Sequence, residues 1–163
     1  MNWTDKDKQR LREAVAAWEG TPHVHRRAIR GKGVDCVNFV AAVLADAGIV
    51  DRERLPSYPT AWGFMSPKNV LGVGLAKVLH CKRIPWEGAG GLSFGDIVIF
   101  KAGRQSNHAG IIVDGRLWHV MTGGTVHAAL PARFMTGIQE IVRLIDRGWK
   151  KKPTEVNIQH LEA

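Results

Sequence analysis

The chain has 163 residues, 45% of them hydrophobic and 23% charged, a composition that excludes a disordered chain and predicts one globular domain with its own hydrophobic core. Twenty-three Lys and Arg residues against fifteen Asp and Glu residues give a net charge of +8. This charge indicates an anionic partner, for which nucleic acid, an acidic cell-wall polymer and a membrane surface are all suitable.

The cysteine count excludes a disulfide scaffold, because the chain contains only Cys36 and Cys81. The chain has no Cys-x-x-Cys pair that would indicate structural zinc. A disulfide between Cys36 and Cys81 is the alternative, but it would consume the cysteine that is the candidate nucleophile, so we expect two free thiols. The N-terminus lacks the apolar segment of a signal peptide, and no apolar run reaches the roughly 18 residues of a membrane span. We therefore expect synthesis in the cytoplasm, with any work outside it depending on a phage tail, a lysis system or a secretion machine.

Helical patterns occupy the first part of the chain. Thr4 with Asp7 predicts a capped helix start, and the helix is predicted to end at Gly20. After a basic, glycine-bearing loop, a second helix is predicted with Asp35 as its N-cap and Gly48 as its C-terminal stop.

Residues 51–91 contain four prolines and predict irregular structure, apart from a short helix from Leu75 to His80. Downstream the pattern changes to strands, with an Asp-Gly hairpin turn at residues 114–115. The predicted strands cover residues 96–101, 108–113, 116–121, 125–129 and 138–145. Helices followed by an antiparallel meander predict an α+β fold, with residues 1–148 as a single domain and 149–163 as a basic, flexible tail.

Cys36 lies at the predicted start of the second helix. A free cysteine titrates near pH 8.5, and a helix N-terminus beside an imidazolium lowers that pKa because both favour the thiolate. We therefore expect Cys36 to be a nucleophile that reacts with iodoacetamide at pH 6. The alternative is an inert cysteine in small apolar surroundings.

Two histidines lie on adjacent predicted strands. In a two-residue hairpin Gly110 pairs with His119, so that His108 and His119 share one face as diagonal neighbours. Such a pair suits a base and its orienting partner, whereas a lone histidine is more often a satisfied edge-strand residue. With Cys36 at a helix start, these are the groups that a papain-like cysteine hydrolase uses.

A metal site is the other use for the histidines of this chain. His23 and His25 are candidates to bind a metal with Cys36 or His127, but no spacing supports such a site. We therefore expect neither a metal nor a cofactor.

Four segments in register resemble one family. Residues 35–40, Asp-Cys-Val-Asn-Phe-Val, resemble the Asp-Cys-Ser-Gly-Phe-Val signature of the NlpC-type cell-wall peptidases, and residues 92–96 resemble their Leu-x-x-Gly-Asp strand. Residues 107–113, Asn-His-Ala-Gly-Ile-Ile-Val, are similar to their His-Val-Gly-Ile-Tyr strand, and residues 117–119 fit the position of their third catalytic residue. The similarity extends from about Leu11 to Ala129.

The resemblance implies a papain-like α+β fold in which Cys36 is the nucleophile, His108 the base and acid, and His119 the group that orients His108. It also implies that Asp35 helps to bind the free amine of the substrate. In place of the family's tyrosine and Trp-Gly-Gly loop, this chain has a histidine-containing loop, from which we take His23 as a substrate-binding candidate.

The function that we expect is a cysteine endopeptidase acting on peptidoglycan stem peptides, similar to phage-encoded members of the family. Relatives often cleave between D-γ-glutamate and diaminopimelate. An acyltransferase or deamidase with the same Cys–His pair stays open, as does a non-catalytic tail or wall-binding module. A nucleic-acid binder rests on net charge alone, because no binding motif is recognisable. The expected partners are stem peptides, with phage-tail or secretion components.

Overall fold

The computed structural model describes residues 1–51, 70–88, 91–102 and 105–149. Its helices are α1 (Asp5–Trp18), α2 (Cys36–Asp46) and α3 (Val70–Val78). Its strands are β1 (Ala28–Ile29), β2 (Gly33–Val34), β3 (Leu79–Pro85), β4 (Ile97–Ala102), β5 (Gln105–Val113), β6 (Arg116–His119), β7 (His127–Ala129) and β8 (Ile138–Trp149).

The first two helices begin at their predicted caps. The Thr4 hydroxyl accepts a hydrogen bond from the Asp7 N–H at 3.2 Å, and the Asp7 carboxylate accepts one from the Thr4 N–H at 3.1 Å. Asp35 Oδ1 accepts a hydrogen bond from the Asn38 N–H at 2.9 Å. Gly48 follows the end of α2 with a φ of +69°, a conformation that glycine adopts without steric cost. The predicted helix starts and the α2 stop are confirmed.

The larger sheet is antiparallel, with the strand order β3-β8-β4-β5-β6-β7. One face packs on the helices, and most of the core lies between them, including Phe39 of α2 and Ile111 of β5. The other face has a smaller apolar cluster of Val98, Phe100, Ile112, Leu117 and Ile138. Helices packed on an antiparallel sheet confirm the predicted α+β, papain-like fold.

Residues of the Leu-x-x-Gly-Asp segment support this sheet. Asp96 is fully buried, and its carboxylate accepts hydrogen bonds from Arg143 on β8 at 2.7 and 2.8 Å and from the Ser93 N–H at 2.7 Å. A Cβ on Gly95 would lie 2.1 Å from the Trp3 ring, so only glycine fits there. This segment therefore attaches β4 to β8 and to the N-terminal residues.

The prediction for residues 79–85 was wrong. They form β3, which pairs with the outer edge of β8, and the preceding helix is Val70–Val78 rather than Leu75–His80. The strand lacks an apolar alternation because it is an edge strand whose polar residues are satisfied on the sheet. Arg83, for example, forms a bidentate ion pair with Glu140 at 3.0 and 2.7 Å.

The last strand is longer than predicted. It continues from Ile138 beyond the predicted end at residue 145 to Trp149, which is one residue past the predicted domain boundary. Gly148 donates its N–H to the Ile49 carbonyl at 2.8 Å, so this end of the strand is hydrogen-bonded to the chain that follows α2. Residues 150–163 of the predicted tail lie outside the described residues.

A membrane-spanning helix is not found in the described ranges, where no helix has the length and apolar character to cross a bilayer.

Candidate active site

The Cys36 sulfur lies beside strand β5. Cys36 is the first residue of α2, and its sulfur accepts a hydrogen bond from the backbone N–H of Ala109. Ala109 follows His108 directly in β5. The structure therefore brings the predicted nucleophile to the strand that carries the predicted base, across more than seventy intervening residues.

The two predicted histidines are hydrogen-bonded to each other. The hairpin pairs Gly110 with His119, which confirms the predicted register, and His108 Nε2 lies 3.1 Å from His119 Nδ1. This bond occupies Nε2 of His108. The other ring nitrogen, Nδ1, is therefore the atom of His108 that can act as a base toward the thiol. A Cβ at position 110 would lie 2.8 Å from the Trp118 carbonyl oxygen and 3.1 Å from the His119 Cβ, so glycine allows this close approach of the strands.

Aromatic rings surround the histidine pair. His108 is 5% exposed and His119 is 1% exposed. The Phe100 ring lies 4.4 Å from the His108 ring, and the Phe134 ring lies 4.9 Å from the His119 ring, both between centroids. In the described part of the chain, no carboxylate is hydrogen-bonded to either imidazole. The pair therefore lies in a largely apolar environment that disfavours charge.

This environment determines the resting protonation state. Burial, with a smaller contribution from the neighbouring imidazoles, lowers the pKa of His108 to about 3 and that of His119 to about 4. The protein packed around the half-buried Cys36 raises the pKa of its thiol to about 12, and the Asp35 charge acts in the same direction. At neutral pH the site thus contains a neutral thiol and neutral imidazoles.

The expected thiolate beside an imidazolium was therefore wrong for the free protein. The positive potential of the α2 N-terminus is present, but desolvation of the sulfur and the adjacent Asp35 charge outweigh it. Alkylation of Cys36 at pH 6 is accordingly expected to be slow. A neutral pair still permits general-base catalysis, in which the proton leaves the thiol as the sulfur attacks.

That use of His108 fixes the positions of two protons. His108 Nδ1 must be bare to accept the thiol proton, so its own proton lies on Nε2 and is donated to His119 Nδ1. His119 then has its proton on Nε2, a buried atom with no hydrogen-bond partner among the described residues. Leaving such a donor unpaired costs about 1–3 kcal/mol, which is the kind of local cost found at functional sites.

Asp35 connects the basic loop to the nucleophile. Asp35 is 3% exposed, and besides capping α2 its carboxylate accepts the Arg26 N–H at 2.6 Å. The His25 Nδ1 lies 3.8 Å from the same oxygen. The carboxylate thus holds the loop and the helix start together, and its role as the ligand of a substrate amine stays a prediction.

His23 lies at the edge of the same site. It is half-buried, its N–H donates to the Gly124 carbonyl at 2.8 Å, and it forms an isolated bridge with Val34. Its imidazole is close enough to contribute to the low pKa of His108. The structure therefore brings His23 toward the catalytic candidates, while its contact with substrate stays a prediction.

Sequence reasoning missed the groups that surround the histidine pair. Phe100 and Phe134 come from separate segments, and nothing in their spacing links them to His119. His127 was weighed only as a metal ligand, yet it pairs with His119 across β6 and β7, with ring centroids 4.6 Å apart. A second hairpin, predicted around the glycines at 123–124, would have placed His127 opposite His119. Across the described residues, no group of three or more His, Cys, Asp or Glu side chains is arranged to hold a metal ion.

The family follows from a match that covers most of the chain. The model of the NlpC/P60 family matches residues 18–156. The chain belongs to the NlpC/P60 family. The matched region includes Cys36, His108 and His119, and the family is one of peptidoglycan hydrolase-type domains.

Solved structures of NlpC/P60 domains have the same fold. The NlpC/P60 domain of the peptidoglycan hydrolase SagA is 15% identical, with a TM-score of 0.54 over 84% of this chain and 98% of that one. A lipoprotein-like NLP/P60 protein of Staphylococcus aureus is 18% identical, with a TM-score of 0.57 over 90% of this chain and 44% of that one. NlpC1 of Trichomonas vaginalis is 18% identical, with a TM-score of 0.57 over 93% and 47%.

The chain thus spans less than half the length of the last two proteins. Among curated protein sequences, none matches this NlpC/P60 chain. At these identities the structural similarity shows the fold alone.

Proposed function

We propose that this NlpC/P60 domain is a cysteine endopeptidase that hydrolyses amide bonds in peptidoglycan stem peptides. The observation that carries the proposal is that the Cys36 sulfur accepts the Ala109 N–H on the strand that carries His108, whose ring is hydrogen-bonded to His119. A nucleophile, a base and an orienting group in this order are the requirements of covalent acyl transfer.

The reaction begins with attack of Cys36 on the amide carbonyl. His108 Nδ1 takes the thiol proton as the S–C bond forms, and His119 stabilises the resulting imidazolium by accepting the Nε2–H of His108. The Cys36 backbone N–H, at the start of α2, is a natural donor to the oxyanion. The proton of His108 then passes to the leaving amine. Water deprotonated by His108 hydrolyses the thioester, which releases the carboxylate and restores the thiol.

Charge beside the site supports an acidic substrate. Arg26, Arg27 and Lys32 are exposed on the loop that Asp35 holds against α2, and none of them has an acidic side-chain partner among the described residues. Stem peptides contain free carboxylates that such cations attract. The bond between D-γ-glutamate and diaminopimelate is part of this proposal, as is delivery to the wall by a phage tail, a lysis system or a secretion machine.

Digestion of purified peptidoglycan tests the proposed function. We expect the protein to release new amino groups, and mass spectrometry of the products to identify the cleaved bond. Cys36→Ala should abolish release while the variant stays folded by circular dichroism. Cys81→Ala, which changes the other cysteine, should cleave as the unchanged protein does. Equal activity of Cys36→Ala would exclude the thiol mechanism.

A further inference from the structure

His127 extends the histidine pair to the protein surface. It lies on β7 directly opposite His119, with its ring exposed and tilted 52° to the His119 ring at 4.6 Å between centroids. Its Nδ1 lies 2.8 Å from the Thr125 carbonyl oxygen, so the Nδ1–H donates to that oxygen and fixes the ring. His127, His119 and His108 therefore form a row of imidazoles that leads from solvent into the protein across β7, β6 and β5.

Few charges balance this row. The charged groups that lower the pKa values of His108 and His119 are themselves imidazoles: His119 and His23 act on His108, and His127 acts on His119. His23 lies on the loop segment that forms a bridge to Val34. The rings of Phe100 and Phe134 pack on the pair without charge. The Asp35 carboxylate, which acts on Cys36, accepts the backbone N–H groups of Arg26 and Asn38. A cation formed on the pair is thus unscreened by any hydrogen-bonded carboxylate of the described residues.

A second cation at His127 opposes the first chemical step. Deprotonation of the thiol places a positive charge on His108, shared with His119 through their hydrogen bond. Two like charges on rings 4.6 Å apart repel each other, and water at the exposed side of His127 screens only part of this repulsion because the His119 ring is buried. The sulfur contacts β5, two strands away from β7, whereas the His119 ring lies directly beside His127. Repulsion of the imidazolium therefore outweighs the attraction that His127 exerts on the sulfur.

We propose that His127 is a positioning residue of the active site, which holds the His119 ring against His108 and, when it takes up a proton, stops the pair from accepting the proton of Cys36. The inference rests on the thiol–imidazole chemistry of the proposed function. It assigns to this chain an inhibition, in acid, of proton transfer from Cys36, which acts through His119 rather than on substrate.

Alkylation of Cys36 by iodoacetamide tests the inference without any substrate. The thiol proton passes to His108, the sulfur forms a bond to the acetamide carbon, and iodide leaves. The rate of Cys36 labelling, followed by mass spectrometry from pH 5.5 to 8.5, reports how readily the pair takes the proton. Cys81 of the same molecule is the internal control, because His127 should not affect its labelling.

Three variants separate charge from packing. His127→Phe keeps a ring against His119 but cannot be charged, so we expect its Cys36 labelling to be about tenfold faster than that of the unchanged protein at pH 5.5 and equal at pH 8.5. His127→Lys keeps a charge at both pH values and should label about tenfold more slowly at pH 8.5. His127→Gln, neutral and polar, replaces His127→Phe if that variant does not fold.

The outcomes discriminate between the two proposals. Overlapping pH profiles of the unchanged protein and the neutral variants, or an unaltered rate in His127→Lys, would overturn the role of His127 even if peptidoglycan is cleaved. Shifted profiles in a protein that cleaves no peptidoglycan would retain the role of His127 and remove the proposed substrate. If the role of His127 were purely structural, its variants would lose the same fraction of the Cys36 labelling rate at every pH.

Discussion

At the scale of single residues, His119 has the clearest assigned task, which is to accept the Nε2–H of His108 at 3.1 Å. We expect His119→Ala to lower kcat about a hundredfold with little change in KM, within the range of general acid–base contributions. His119→Asn retains an acceptor oxygen and should lose less. Steady-state kinetics on a stem peptide measure both variants, and equal losses in the two would contradict the hydrogen-bond role.

The Cys36 thiol makes stability depend on alkaline pH. Its pKa in the folded protein, about 12, lies above the ordinary value of 9.0, so the unfolded chain loses the proton first as the pH rises. Stability is therefore complete below about pH 9 and falls by up to about 1.4 kcal/mol per pH unit above it.

Urea unfolding at pH 8 and pH 10.5 measures this fall. Cys36→Ser should be less sensitive to the change than the unchanged protein, because serine does not titrate in this range. Cys81→Ser should behave as the unchanged protein does. If the serine variants at both positions lose stability equally, the thiol of Cys36 is not the group responsible.

At the scale of elements, the close approach of β5 and β6 depends on Gly110. A Cβ there would lie 2.6 Å from Leu117 Cδ1 and 2.8 Å from the Trp118 carbonyl oxygen. We expect Gly110→Ala to cost about 1–3 kcal/mol of unfolding free energy and to reduce kcat, because the strands separate and move His119 away from His108. Gly91→Ala is the matched control, since a Cβ at Gly91 meets no atom within 4 Å. Equal stability of the two variants would contradict the crowding.

Elements also show how far the sequence predicts the site. The Asp-Gly turn fixes the hairpin register, because a two-residue loop permits one pairing, and this register places His108 and His119 on one face. Strand β3 was missed because edge strands lack the apolar alternation on which such predictions depend. The neutral state of Cys36 was missed because its pKa depends on packing between distant segments, which spacing does not reveal.

At the scale of the whole molecule, two buried imidazoles limit stability in acid. The pKa values of His108 and His119, about 3 and 4, lie below the ordinary 6.5, so the unfolded chain binds protons that the folded protein excludes. Stability is present above about pH 6.5 and falls as the pH decreases, by up to about 1.4 kcal/mol per unit for each histidine.

Urea unfolding at pH 7 and pH 5 checks this acid limit. His119→Asn should fall less between the two pH values than the unchanged protein, because one titrating group is gone. His80→Asn, which changes a half-buried histidine on β3, provides the comparison. A fall in His119→Asn as steep as in the unchanged protein would show that other groups set the acid limit.

The bond from the Ala109 N–H to the Cys36 sulfur is made by the main chain. Any amino acid other than proline supplies that donor, so the identity of residue 109 has no bearing on the bond itself. Selection on this contact would keep the backbone path of β5 unchanged. Residue 109 itself could vary among the small side chains that fit a fully buried position. A redesign of this strand can therefore exchange Ala109 for another small side chain, provided that the peptide group stays where it is.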